Sequence, residues 1–259
     1  LRRNEIVPLE GLREERYGRV LCYPRYDLKE LKRRLRELRR LGVKAIEFAG
    51  GKRAFDTPVL GKGCVGIVVS VQTEDQGRAA LKIRRVDADR AGMQREAEML
   101  RRANAIGVGP RLLGATENFL LMEFVEGTLL PQWVETLRGR GTRSRIRRVL
   151  RGVLEQCWRL DEAGLDHGEL SRAPKHLIID ANDNPHIVDF ETASASRRVS
   201  NVTSICQYLF LGSQAAKTIK RKLGEISREE LINTLRNYKR ERTRENLEEV
   251  LGACELHKV

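Results

Sequence analysis

The residues best suited to chemistry begin with Gly61-Lys62-Gly63-Cys64-Val65-Gly66-Ile67-Val68, a GxGxxGxV run. Glycines let a backbone pass close to phosphate oxygens and turn its N–H groups toward them. The same glycine spacing occurs in dinucleotide-binding folds, where it must open a helix. Here Ile67–Val71 follows, which reads as strand, so that reading is set aside. A glycine-rich hairpin without a ligand also satisfies the motif taken alone. The next strand-like run carries Ala80-Leu81-Lys82-Ile83. An ammonium among apolar strand residues needs an anion, because burying it unpaired is costly. A nucleotide phosphate would supply one, and Glu96 on the following helical segment could hold the lysine in place. Singly, Lys82 could be an edge-strand lysine and Glu96 a solvated helix residue; their order after the glycine loop makes them specific. Farther on, Asp189 ends the apolar run His186-Ile187-Val188, and a carboxylate there suits a hard cation.

The elements that position these residues can be read from periodicity. Residues 27–41 are expected to form a helix, with Leu28, Leu31, Leu35, Leu38 and Leu41 at helical spacing. Asp27 is its N-cap, Gly42 stops it, and Lys and Arg fill most of the other face. The leucine stripe is expected to pack on the first lobe; binding a partner or lying along nucleic acid are the alternatives. A strand over 43–48 follows. Residues 64–72 and 79–83 are strands joined by Thr73–Gly77, which has turn chemistry. Residues 88–104 are helical and 119–125 strand-like. After Gly127 the character changes. Residues 143–163 form a helix with Ile146, Val149, Leu150, Val153, Leu154 and Cys157 on one face. Residues 177–180 and 186–189 flank Asn182-Asp183-Asn184 as a hairpin, and helices dominate to the end. A strand-rich half before a helix-rich half indicates an α+β fold with two lobes. The expected domains are a basic N-terminal extension over 1–50, a first lobe over 51–126 and a second over 127–259.

Taken in order, these motifs resemble the protein-kinase superfamily, over roughly residues 55–215. Gly61–Val68 looks like the glycine-rich loop, Lys82 like the strand lysine and Glu96 like its helix partner. Leu121–Gly127 looks like the hinge, with Met122 at the gatekeeper position. His167-Gly168-Glu169-Leu170-Ser171 looks like the catalytic loop, and Val188-Asp189-Phe190-Glu191 like the metal-binding segment. Within the superfamily the chain is similar to the RIO kinases and the predicted archaeal serine/threonine kinases near them. No APE motif appears, and only a short segment separates Asp189 from the helix-like Ser200–Phe210. A conventional groove for a protein substrate is therefore not expected.

The resemblance implies a bilobal kinase-like fold with a β-rich first lobe and a reduced helical second lobe. It implies an ATP-dependent serine/threonine kinase that uses magnesium, with ATP bound between the lobes. Gly61, Gly63, Gly66, Val68, Ala80, Lys82, Met122, Glu123 and Phe124 would line the nucleotide, and hinge backbone groups would hold the adenine edge. Glu169 would be the catalytic base, with Lys82 and Glu96 completing the catalytic set. Asp189 and His176 would hold the metal. Two departures stand out. Glu169 occupies a position where the family has Asp, and His176 falls where the family has Asn, after a loop two residues longer than usual. A structural glutamate in a pseudokinase, and a packing role for His176, are the other readings. His167 is expected to brace the loop. Arg172 and Lys175 would contact the γ-phosphate or stay solvated. The rival function is a nucleotide-gated module in RNA or ribosome assembly. A small-molecule phosphotransferase fits less well, because a positive protein suits a cationic substrate poorly.

Bulk properties bound these readings. The chain has 259 residues, 41% hydrophobic and 33% charged, with a formal net charge of +13. That composition fits a globular protein. No apolar run approaches the ~20 residues a membrane span needs, and the first residues lack a secretory leader's apolar stretch. A cytoplasmic protein without a membrane partner is expected. Cys22, Cys64, Cys157, Cys206 and Cys254 lie far apart, so reduced thiols are expected rather than disulfides or zinc. Arg-rich segments at 29–40 and 138–151 would attract polyanions, or form a solvated face. The protein substrate is not legible.

Overall fold

Val68, Val69 and Val71 are β-branched, and the run that contains them is buried along most of its length, so it forms an interior strand rather than an edge. The computed structural model describes residues 4–257. Their contacts fall into two units. The first runs to Arg101 and resumes over Pro110–Phe124; the second takes Arg102–Gly109 and everything from Val125.

The first unit contains, in chain order, β1 (Glu5–Pro8), α1 (Glu15–Leu21), α2 (Leu28–Arg40), β2 (Val43–Phe48), β3 (Lys52–Ala54), β4 (Thr57–Val59), β5 (Gly61–Lys62), β6 (Gly66–Thr73) and β7 (Gly77–Arg84). Then come α3 (Arg90–Ala105), which belongs to this unit as far as Arg101, β8 (Leu112–Ala115) and β9 (Phe119–Glu123). One antiparallel sheet runs in the order β1-β2-β6-β7-β9-β8, with β5 folded back on β6. The division expected at residue 50 falls just beyond β2, yet β1 and β2 continue the same sheet as β6. The apolar run expected over 119–125 ends as strand at Glu123.

In α2, the Asp27 carboxylate accepts the Glu30 N–H at 2.7 Å and Gly42 follows at φ +68°. Leu31, Leu35 and Leu38 are buried, whereas Leu28 stands exposed in the first turn. Arg34 departs from the expected polar outer face: it is fully buried. Its guanidinium donates to Leu21 O and Arg84 O at 2.6 Å and to Asn118 Oδ1 at 3.0 Å. An arginine survives burial only with its donors matched in this way. The result fastens α2 to the end of β7.

The second unit holds β10 (Thr128–Leu129), α4 (Leu130–Thr136), α5 (Thr142–Glu162), β11 (Leu177–Ile179), β12 (Pro185–Ile187) and α6 (Asn201–Cys206), which continues as a π-helical turn over Gln207–Leu211. The chain ends in α7 (Gln214–Leu223), α8 (Arg228–Arg240) and α9 (Arg244–Ala253). β10, β11 and β12 form a small antiparallel sheet. Gly127 precedes it because a Cβ there would lie 2.3 Å from Ile179 O. The expected apolar face of α5 is buried from Ile146 to Cys157 and extends to Asp161. That carboxylate accepts the Asn201 N–H and side-chain amide, both at 2.8 Å, and the Tyr238 hydroxyl at 3.0 Å. Burial pushes both the Asp161 carboxyl and the Tyr238 phenol up from their ordinary ranges. The network joins α5, α6 and α8.

The fold is thus α+β, with an antiparallel sheet first and helices after. Among the described residues no helix is long and apolar enough to cross a membrane. Cys22, Cys157, Cys206 and Cys254 are buried free thiols, and Cys64 is an exposed one.

Candidate functional site

The first group of candidate residues lies wholly in the first unit. β5 and β6 pair Gly61 with Val68 and Lys62 with Ile67, and the Gly63 N–H closes the turn on Gly66 O at 2.8 Å. A Cβ on Gly66 would lie 3.0 Å from Ile83 O and 3.1 Å from Lys82 Cγ, so the fold itself demands glycine there. Gly61 and Gly63 differ. Their added Cβ atoms would find nothing nearer than 3.5 and 3.7 Å. The protein's own packing therefore explains one glycine of the three.

Lys82 sits on β7 between Val68 of β6 and Leu120 of β9. α3 turns Glu96 inward together with Met93, Ala97 and Leu100, all buried at helical spacing. Lys82 Nζ lies 2.9 Å from one Glu96 carboxylate oxygen and 2.8 Å from the other. Lys82 is 5% exposed and Glu96 2%. Two charges taken that far from water are tolerable only when paired this closely. Ala80 lies between Ser70 and Met122 in the sheet. Val68 and Met122 are half-buried. Glu123 and Phe124, also expected to line the nucleotide, make contacts within the first unit. The Glu123 N–H donates to Arg111 O at 2.8 Å, and its carboxylate accepts the Arg111 N–H at 3.1 Å. The Phe124 ring lies 3.9 Å beneath the Arg78 guanidinium. The Glu123 N–H is thus committed to Arg111 O.

The second group lies wholly in the second unit, on the loop that leaves α5 and on the β11–β12 hairpin. The loop is clamped from behind. The Asp166 carboxylate accepts Arg197 Nε–H at 2.6 Å and the Ser200 N–H at 3.0 Å. The His167 N–H donates to Asn201 Oδ1 at 2.8 Å, and the Thr192 hydroxyl donates to His167 O at 2.9 Å. Gly168 adopts φ +91°, and a Cβ there would meet Thr192 and Arg197. The His167 ring is buried against Phe190, with centroids 5.0 Å apart. Burial, reinforced by the neighbouring His176, lowers its pKa to about 4. The neutral ring then donates from Nε2 to Val188 O at 3.2 Å. His167 braces the loop, as expected.

Beyond that brace, Glu169, His176 and Asp189 converge, with one ligand atom from each lying within 4.8 Å of the others. His176 Nε2 is 2.9 Å from Glu169 Oε2, and Nδ1 is 3.9 Å from Asp189 Oδ2 and 3.4 Å from Val188 O. His176 is buried, while both carboxylates are half-buried. Asp189 takes φ +70°, a left-handed conformation that is uncommon outside glycine and clusters at functional sites. Two carboxylates suit a hard divalent cation; the imidazole is a softer third donor. If Nδ1 donates to Val188 O, Nε2 faces the Glu169 carboxylate as a second acceptor. With one donor atom from each of the three residues within 4.8 Å of the others, the set fits a divalent metal ion. Arg172 and Lys175 are exposed.

Three residues that shape this region, Asp161, Asp166 and Asn201, escaped the sequence reading. Asp161 had a signal: it falls four residues after Cys157, on the apolar face of α5. A family model described as the RIO domain matches residues 69–198, just over half of the chain. The match contains Lys82, Glu96, Glu169, His176 and Asp189 and begins immediately after the glycine loop. No curated protein sequence matches the chain.

Proposed function

This chain belongs to the RIO-domain family of atypical, kinase-like proteins, and from that premise we propose that it transfers the γ-phosphoryl group of ATP to a serine or threonine hydroxyl with magnesium. The observation that carries this reading is the buried Lys82–Glu96 pair lying against Gly66. A lysine held by a carboxylate beside a glycine hairpin is arranged to meet phosphate. In this reading the backbone of Gly61–Gly66 approaches the phosphates, and Lys82, oriented by Glu96, balances charge on the α- and β-phosphates. Val68, Ala80 and Met122 supply apolar contact to the base. Asp189 and His176 would hold magnesium, whose charge screens the β- and γ-phosphate oxygens when it is bound. Glu169 orients the attacking hydroxyl and accepts its proton. Catalysis then rests on positioning and on charge stabilisation.

A second reading has one observation in its favour. The Glu169 carboxylate already lies against His176 Nε2 at 2.9 Å. A carboxylate so engaged could serve as part of the metal set in a nucleotide-gated module that turns ATP over slowly, in RNA or ribosome-related assembly.

Magnesium-dependent binding tests the site. Lys82→Arg keeps a cation beside the buried Glu96, whereas an alanine would leave that carboxylate buried and cost about 3–5 kcal/mol. Asp189→Asn is expected to weaken Mg·ATP binding tenfold or more, about 1.4 kcal/mol, and to leave metal-free ATP binding unchanged. Lys82→Arg is expected to weaken both. Thermal-shift titrations with and without magnesium read the difference, and unchanged ATP-dependent shifts in both variants would refute the site.

A further inference from the structure

The two arginine-rich stretches of the sequence meet different fates in the fold. In residues 138–151 four of the seven arginines pair with acids of the second unit. Arg145 and Arg148 lie 2.7 and 2.9 Å from Asp183 Oδ2. Arg147 lies 3.2 Å from Glu255, and Arg151 lies 3.2 Å from Glu248. Those four arginines are therefore paired within their own unit, whereas among the described residues Arg138, Arg140 and Arg143 have no acid partner.

α2 is the opposite case. Its two acids turn inward, Glu30 to Arg33 and Arg34, and Glu37 to the Asn118 amide at 2.6 Å. Outward it presents Lys29, Lys32, Arg36, Arg39 and Arg40, all exposed. Among the described residues none of the five has an ion-pair partner. Lys29, Lys32, Arg36 and Arg39 follow one another at three, four and three residues, so they form one stripe along the helix, with Arg40 beside its end. At 1.5 Å rise per residue the stripe runs about 16 Å, with neighbouring side chains about 5–6 Å apart. Like charges at that spacing repel by roughly 0.2–0.5 kcal/mol per pair. Among the described residues no acid pairs with any of them, while the buried leucines and Arg34 fix the helix to its unit. Arg39 and Arg40 also favour the helix C-terminus; Lys29, Lys32 and Arg36 have no such reason.

We infer that this face of α2 docks on the phosphate backbone of duplex nucleic acid. Charge complementarity is the argument: a straight, pre-ordered ladder of cations meets a rigid row of phosphates. α2 contains no aromatic residue on which single-stranded bases could stack and no Asn or Gln to read base edges. The contact is thus to backbone alone, independent of sequence and strongly dependent on salt. The inference does not depend on the nucleotide-site reading.

Fluorescence anisotropy tests it, with a short RNA duplex and a DNA duplex of the same sequence titrated over a range of salt. The test variant is Lys29→Glu/Lys32→Glu/Arg36→Glu. The control is Arg228→Glu/Arg236→Glu/Arg240→Glu, which makes the same change of net charge at exposed positions on α8. The α2 variant is expected to lose about a hundredfold in duplex affinity near 0.1 M salt, and its salt slope to fall by roughly two to three. The control should stay within about threefold of the parent, because only contacting charges enter the slope. RNA and DNA duplexes that bind alike would support a backbone contact. The inference fails if the parent binds neither duplex, or if the α2 variant keeps the parental slope. It also fails if the control loses as much, which would make the effect one of net charge, or if an acidic polypeptide displaces the duplex at equal charge.

Discussion

Glu169 is the residue on which the chemistry turns. It occupies the base position implied by the family resemblance, yet its carboxylate lies against His176 at the edge of a three-donor cluster. The two roles predict different variants. As a base, Glu169→Gln keeps Mg·ATP affinity and slows phosphoryl transfer by about a hundredfold or more, while Glu169→Asp retains part of the rate. As a metal ligand, Glu169→Gln weakens Mg·ATP binding instead. Binding and transfer measured separately at saturating Mg·ATP decide between them; a Gln variant unchanged in both would remove Glu169 from the site. Lys82 and Glu96 were legible in the sequence because a lysine in an apolar strand has few stable explanations. The convergence of Glu169 with His176 was not, because it depends on the path of an irregular loop fixed by Asp166, Asn201 and Thr192 from distant parts of the chain.

Among the elements, the glycine hairpin separates folding from function. Gly66→Ala drives a Cβ against Ile83 O and Lys82 Cγ, so a loss of about 1–3 kcal/mol is expected, the usual scale for overpacking. Gly63→Ala has room, so its stability should stay within about 0.5 kcal/mol of the parent while its ATP affinity falls. Urea midpoints and ATP titrations give the two readouts; a Gly63 variant with parental affinity would mean that no ligand approaches that backbone. The contact of α9 with α5 carries a pH signature. Arg244 donates to both oxygens of Glu155 at 2.6 and 2.8 Å and holds its carboxyl below the usual range. A carboxyl with a depressed folded pKa contributes stability above its unfolded pKa, and that contribution is lost as pH falls through the folded value. The pair is partly exposed, so its effect is small, at most about 1 kcal/mol. Between pH 7 and the acid range Arg244→Met should therefore lose less stability than the parent, measured by urea midpoint; parallel losses would show that the pair adds nothing. Helix and strand placement was largely readable, down to the Asp27 cap and the β11–β12 hairpin. Arg34 was misread as surface because its type outweighed its position, three residues after Leu31 and four before Leu38, on the leucine face.

Across the whole molecule, charge and fold tell one story only after the ion pairs are known. A net charge of +13 and two arginine-rich runs are plain in the sequence. Which arginines are paired internally is a tertiary fact, fixed by Asp183, Glu248 and Glu255 for four of those in 138–151 and by the inward turn of Glu30 and Glu37 for α2. The α+β class was legible because β-branched runs precede long amphipathic helices. The continuity of β1 and β2 with the first unit's sheet was not, since the other strands of that sheet lie later in the chain. The proposed activity is the transfer of a phosphoryl group from ATP. Single-turnover reaction of γ-labelled ATP with excess protein and magnesium tests it most directly, with Asp189→Asn in parallel. The parent is expected to pass label to a serine or threonine hydroxyl, and the variant to slow that transfer by about a hundredfold or more, the scale of losing one charge-stabilising group. Label that remains on ATP in the parent while Mg·ATP is bound, or transfer equally fast in the variant, would contradict it.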